Sequence, residues 1–190
     1  LTGDGDLVTV GQRRGHRLDA DRGALLMARV LVTVGMGPWP FDRLIAALAP
    51  LCAGHEVFAQ TGTSTVVPPC PHAAFLPLDE LQERLAAADV VLTHAGNTVR
   101  LVQRLGGVPV AVAREAARGE MGNDHQVEYL RAEERAGRVV AVWDVGDLVG
   151  AVARHREDAR RLLAERPLPP AVSDERLVAV LDELCGRLVR

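Results

Sequence analysis

Between residues 30 and 144 the chain alternates two kinds of hydrophobic pattern. Short continuous apolar runs, rich in valine, are separated by stretches in which apolar residues return at helical spacing. RVLVTVG, EVFAQTG, DVVLTHAG, VPVAVAR and RVVAVWD predict strands. FDRLIAALAPLCAG predicts one helix, with Leu44, Ile45, Leu48 and Leu51 on its buried face. LDELQERLAAA predicts a second, capped by Asp79, and NTVRLVQRLGG a third. A fourth is predicted from about Asn123 to Ala136, after the polar loop EAARGEMG. The Pro-rich VVPPCPHAAFLPL reads as a loop with at most a short strand.

Strands that are apolar without polar alternation are covered on both faces, as in a parallel sheet built from βαβ units. The expected fold is therefore a single Rossmann-like α/β domain over residues 27–166. DVGDLVGAVARHREDARRLLAER and SDERLVAVLDELCGRLVR predict amphipathic helices around the break PLPPAV, which makes 167–190 a linker and terminal helix. Residues 1–26 have neither period and lack the apolar core of a signal peptide, so they are expected to form a disordered extension.

The 190 residues carry a net charge of -3, and all 22 positive residues are arginine. No basic face accumulates, which argues against nucleic acid as a partner. The three cysteines, Cys52, Cys70 and Cys185, have neither metal-ligand nor disulfide spacing, and a cytoplasmic location is expected. No stretch is long and apolar enough to span a membrane.

Ligands of doubly wound sheets sit beyond the C-terminal strand ends, where the strand order reverses. Three predicted loops leave strands there: GMGPWP, THAGNT and REAARGEMGNDHQ. In THAGNT, Gly96 allows close backbone approach, Asn97 or Thr98 suits a helix cap, and the helix start favours an anion such as phosphate. His94 can donate a ring N–H to the same group. These residues equally suit a strand-end histidine beside a tight turn. Gly35 and Gly37 precede a helix expected near Pro40, yet they form neither a dinucleotide fingerprint nor a P-loop. Without that fingerprint and a ribose-binding acid, a nicotinamide-dependent enzyme is a weak reading. Asn123, Asp124, His125 and Gln126 cluster at a helix start, where side chains can read polar hydroxyls. His94 and His125 lack partners at metal-ligand spacing, so no metal is expected.

In this order, VLVTVGMGPWPFDRLIAAL, FAQTGTS, AAADVVLTHAGNT, GGVPVAVAR and GEMGNDHQVEYL resemble the C-terminal domain of family 28 glycosyltransferases. The likeness covers about residues 28 to 144 and is nearest to the small donor-binding subunit of two-part N-acetylglucosaminyl- and exopolysaccharide transferases. It implies the C-terminal half of a GT-B architecture and an inverting, metal-independent transfer of GlcNAc or another hexose from a UDP-sugar, with no cofactor. It also implies a membrane-anchored, acceptor-binding partner that carries the base, leaving this chain peripheral at the inner membrane face. Within this chain only His94 and His125 are candidate bases. By position, the resemblance puts His94, Ala95, Gly96, Asn97 and Thr98 at the diphosphate and Gly35 and Gly37 near it. Gly62 and Ser64 fall on a further cleft loop, Phe75 and Leu76 near the uracil, and Asp124 and Gln126 at the sugar hydroxyls. The family's ribose-gripping glutamate falls on Val102, and its serine on Val99. Those two valines motivate the alternative of a non-catalytic scaffold that keeps the fold and has lost donor chemistry.

Overall fold

The structure, a computed structural model, describes residues 27–165. The expected extension at 1–26 and the expected terminal helix lie outside the described residues.

Six strands form one parallel sheet: β1 (Arg29–Thr33), β2 (Glu56–Gln60), β3 (His72–Ala73), β4 (Val90–His94), β5 (Val110–Val112) and β6 (Val140–Ala141). Their order is β3-β2-β1-β4-β5-β6. The sheet grows outward in one direction from β1 and in the other from β4, so the reversal falls between these two strands. Thr33, the last residue of β1, is in register with both Gln60 and Thr93. The expected α/β fold is the one observed.

Side chains alternate across the pleat, so each strand feeds two cores. Val30, Val32, Val57, Ala59, Val90, Leu92, Val110 and Val112 face one side. There they pack with Leu44 and Ile45 of α1 (Asp42–Ala46), Leu51 of α2 (Ala49–Gly54) and Leu148 and Val152 of α6 (Leu148–Glu165). Leu31, Val91 and Ala111 face the other side. That side is covered by α3 (Leu78–Ala87), α4 (Asn97–Arg104) and α5 (His125–Arg135), through Leu85, Val99, Val102 and Leu130. Helices on both faces explain why the strands lack polar alternation.

Several expected boundaries move. The helix predicted from Phe41 is two short ones, because Pro50 cannot donate a backbone bond and the chain restarts at Ala49. The four predicted apolar positions, Leu44, Ile45, Leu48 and Leu51, are nonetheless fully buried. That first helix begins at Asp42 rather than near Pro40. Asp79 lies in the first turn of α3 and does not cap it; Pro77 holds the cap position without a side-chain bond. The fourth predicted helix starts at His125, with Asp124 as the flanking residue. Cys52 of α2 and Cys70 before β3 are free thiols, both half buried against one core cluster.

Candidate functional site

At the reversal between β1 and β4 lies a pocket of about 220 Å³. It is lined by Thr33, Gly35, Met36, Gln60, Leu76, Leu81, His94, Asn97 and Thr98. Its floor is the C-terminal edge of the central strands, and its far wall is the start of α4.

The loops from β1 and β4 meet over the imidazole of His94. A Cβ on Gly35 would lie 2.7 Å from His94 Cε1, and one on Gly96 would run into His94 Nε2. Gly35 is also held at φ +80°, a conformation that side chains resist. Glycine is required at Gly96 for space alone. The ring therefore sits between two backbones that can approach only because both residues lack side chains. Burial, and secondarily the positive charge of Arg114, lower the His94 pKa to about 4. At neutral pH it is an uncharged imidazole, able to offer one N–H.

Asn97 and Thr98 begin α4, where the first amides of a helix have no partner within it. Gly96 occupies the cap position, no side chain caps the helix, and its first turn holds no acidic residue. The sequence pattern suggests Asn97 or Thr98 as the cap; instead both lie inside the helix. The positive end of α4 is thus left open toward the pocket.

Gln60 ties the remaining wall together. Its carbonyl oxygen accepts from Thr33 Oγ1 at 2.7 Å and from the Gly35 amide at 3.1 Å. Its amide nitrogen donates to the Gly35 carbonyl at 2.9 Å and the Ala74 carbonyl at 2.7 Å. One carboxamide thus fixes the β1 loop to the segment leading into Leu76. Arg114, at the end of β5, reaches across the sheet edge to donate to the carbonyls of Val34 (2.9 Å) and Trp39 (3.1 Å). Its guanidinium lies over the Phe41 ring, 4.7 Å from the centroid.

Of the residues singled out by sequence, Gly35, Leu76, His94, Asn97 and Thr98 line this pocket. Gly96 packs against His94, and Gly62 backs the pocket, since a Cβ on it would lie 2.9 Å from the Gly35 carbonyl oxygen. The others are placed elsewhere. Gly37 stands in open space, and Ser64 Oγ accepts from the Phe41 amide at 3.0 Å. Phe75 is half exposed, and Ala95 is buried with Val99 and Leu130. Asp124 Oδ1 accepts from the Ala116 amide at 2.8 Å, and buried Gln126 accepts from the Arg114 amide at 3.1 Å. His125 is exposed, with its ring against Asn123. Val99 and Val102 both face the core, Val102 beside Leu31, Leu85 and Val91. Gln103 is buried too, and donates to Glu133 at 2.9 Å.

Sequence reasoning misses Thr33, Gln60, Leu81 and Arg114. Gln60 and Arg114 do leave a signal, as lone polar residues at the ends of apolar strands. A larger cavity of about 380 Å³ lies at the opposite edge of the sheet, where Arg84 stacks on Phe58. Among the described residues, no three His, Cys, Asp or Glu side chains are grouped to hold a metal ion, and no helix is long and apolar enough to cross a membrane.

A doubly wound parallel sheet with its pocket at the strand reversal is a Rossmann-like fold, consistent with one half of a GT-B architecture. The particular likeness is to the crystal structure of CalG4, the calicheamicin glycosyltransferase, with a TM-score of 0.52 at 16% identity. The match covers 85% of this chain and 44% of that one, so the chain spans less than half the length of its neighbour. No family model matches the sequence. No curated protein matches it either.

Two outcomes follow from this geometry. The pKa of His94 is lowered in the folded state, as is that of buried His155, first by burial and against the 2.7 Å bond of its Nε2 to the Val108 carbonyl. The unfolded chain, whose histidines titrate near 6.5, therefore takes up protons first. Stability is complete above about pH 6.5 and falls as the pH drops, for His94 toward pH 4, by up to roughly 1.4 kcal/mol per pH unit. Urea unfolding across that range measures the slope, and His94→Asn flattens it; an unchanged slope would contradict the buried neutral ring. Separately, Gln60→Leu leaves the amide and the carbonyl of Gly35 without their partners, and should destabilise by about 2–4 kcal/mol in chemical denaturation.

Proposed function

We propose that this chain is the donor-binding half of a glycosyltransferase, holding the diphosphate of a UDP-sugar where α4 begins. The observation that carries this reading is the uncapped start of α4 opening into the pocket beside His94. Two amides, a helix dipole and a neutral imidazole N–H form a donor set for an anion that needs no carboxylate or metal. The chemistry is an inverting hexosyl transfer, GlcNAc being the first donor sugar to test. As the bond between sugar and diphosphate breaks, negative charge grows on the departing phosphate oxygen. The α4 amides and His94 stabilise that charge. A bound diphosphate also draws the His94 pKa upward, which strengthens the bond it donates.

The family 28 likeness and the size of the pocket support a partner. Pockets for drug-sized ligands run from roughly 300 to 1,000 Å³, and this one holds only about 220 Å³. It suits part of a nucleotide sugar, with the rest covered by a second chain. That partner is membrane-anchored, binds a lipid-linked or small acceptor, and supplies the base that removes the acceptor hydroxyl proton. It draws this chain to the inner membrane face. His125 is the weaker base candidate, since it is not among the pocket-lining residues. No cofactor besides the donor is required.

A scaffold that has lost donor chemistry is the second reading, favoured by one observation: no carboxylate lines the pocket to grip a ribose, and Val102 is buried. Calorimetry with UDP and UDP-N-acetylglucosamine, with and without the co-expressed partner subunit, separates the two. Binding that Gly96→Ala weakens by roughly tenfold or more, together with sugar transfer by the pair, supports the enzyme. Absence of binding even in the pair assigns the scaffold.

A further inference from the structure

No side chain lining the pocket at the strand reversal carries a charge at neutral pH, His94 included. A full positive charge stands directly behind one wall. Arg114 is only 3% exposed, and its Nη2 donates to the Val34 carbonyl at 2.9 Å and to the Trp39 carbonyl at 3.1 Å. The Val34 carbonyl and the Gly35 amide are the two ends of one peptide, and Gly35 lines the pocket. That peptide is clamped at both ends, by Arg114 on its oxygen and by Gln60 on its nitrogen at 3.1 Å. The guanidinium therefore sits one peptide behind the wall against which the His94 ring packs.

This charge is not cancelled where it sits. The Arg114 guanidinium rests on the Phe41 ring, and its enclosed Nε has no hydrogen-bond partner. The neighbouring carboxylates are engaged by other arginines. Glu120 is held by Arg43 at 2.8 and 2.9 Å, and Glu115 by Arg43 at 3.3 Å and by Arg118 at 3.1 Å. Burial lowers the Arg114 pKa, yet a guanidinium keeps its proton inside a protein. Buried charges are ordinarily paired. A charge left over beside a pocket attracts whatever anion enters it, and salt screens that attraction less than at the surface.

We propose that Arg114 is a positioning residue that sets the specificity of the pocket: it fixes the β1 loop through the Val34 carbonyl, and its charge makes the site select a diphosphate over a monophosphate or a neutral ligand. This rests on the reading of the pocket as an anion seat and names what the seat prefers. Arg114 touches no ligand; it acts through the loop and through space. The attraction grows with each negative charge on the ligand, so pyrophosphate gains more than phosphate and uridine gains nothing. The amides at the start of α4 supply the direct bonds.

The full chain, Arg114→Lys and Arg114→Gln are titrated by calorimetry with inorganic pyrophosphate, inorganic phosphate and uridine. Wild type is expected to bind pyrophosphate at least roughly tenfold more tightly than phosphate, a result that needs no variant. Arg114→Gln removes the charge and should weaken pyrophosphate binding by roughly tenfold or more, phosphate less and uridine not at all. Arg114→Lys loses the planar fork but keeps the charge, and should retain the preference for pyrophosphate. Followed by NMR, the His94 ring should titrate at higher pH in Arg114→Gln than in wild type or Arg114→Lys. Equal losses in both variants, equal affinity of wild type for the two anions, or a His94 titration that ignores the substitution would each overturn the proposal. Selective binding of pyrophosphate without binding of UDP or UDP-N-acetylglucosamine overturns the donor reading and leaves this one standing. Binding of UDP-N-acetylglucosamine that Arg114→Gln does not alter does the reverse.

Discussion

The close approach of two backbones over one imidazole sets the shape of the crevice. β1 and β4 are neighbours whose following helices, α1 and α4, cover opposite faces of the sheet. Their loops would ordinarily part there and leave an open cleft. Here both are drawn against the His94 ring, at distances that exclude any side chain at Gly35 or Gly96. A larger residue at either position would displace the ring, and with it the wall of the pocket. The ring is uncharged because it is enclosed and lies near Arg114. An imidazole in that state is suited to meeting an anion as a hydrogen-bond donor without already carrying charge.

Around that contact the sheet edge is made rigid by polar groups in a largely apolar region. Buried polar side chains cost stability unless they are satisfied. Gln60 is satisfied four times over, by Thr33, by both the amide and carbonyl of Gly35, and by Ala74. Arg114 holds two carbonyls of the β1 loop, and its own backbone amide is held by Gln126. Neither Gln126 nor Ser64 has to touch a ligand to matter. Each fixes a loop that shapes the cleft, Ser64 by binding the Phe41 amide ahead of α1. Such loops need little rearrangement when a ligand arrives, which is the physical content of preorganisation.

The alternation of apolar runs with helical periods makes the fold legible, because each strand is buried on both faces and each helix keeps one apolar stripe. The break between α1 and α2 is marked by Pro50 but masked by the continuing period through Leu48 and Leu51. At the pocket, the strand-turn-helix THAGNT is readable as a place where a strand end meets a helix start, though its spacing suits a plain tight turn equally well. Its cap is not readable, because Asn97 and Thr98 are good capping residues and only the backbone course shows that Gly96 holds the position. Gln60 bonds to the neighbouring strands on either side and Arg114 reaches from β5 past β4 to the β1 loop, and no local spacing encodes such contacts.

The two valines on α4 mark where position along the chain stops being a guide to role. An ungapped comparison puts Val99 and Val102 where the family 28 likeness expects a serine and a ribose-binding glutamate. Both lie on the buried stripe of a helix that must cover Leu31, Val91 and Ala111. A glutamate at Val102 would place a charge among Leu31, Leu85 and Val91, where desolvation is unfavourable. The residues of α4 that line the pocket are Asn97 and Thr98, one turn earlier. Replacing Val102 alone by a glutamate therefore does not create a ribose partner. Any grip on a ribose has to come from the helix start, from the β1 loop, or from a chain that closes over the crevice. On the proposed reading the small volume of the pocket points the same way, toward a second chain that supplies the missing wall.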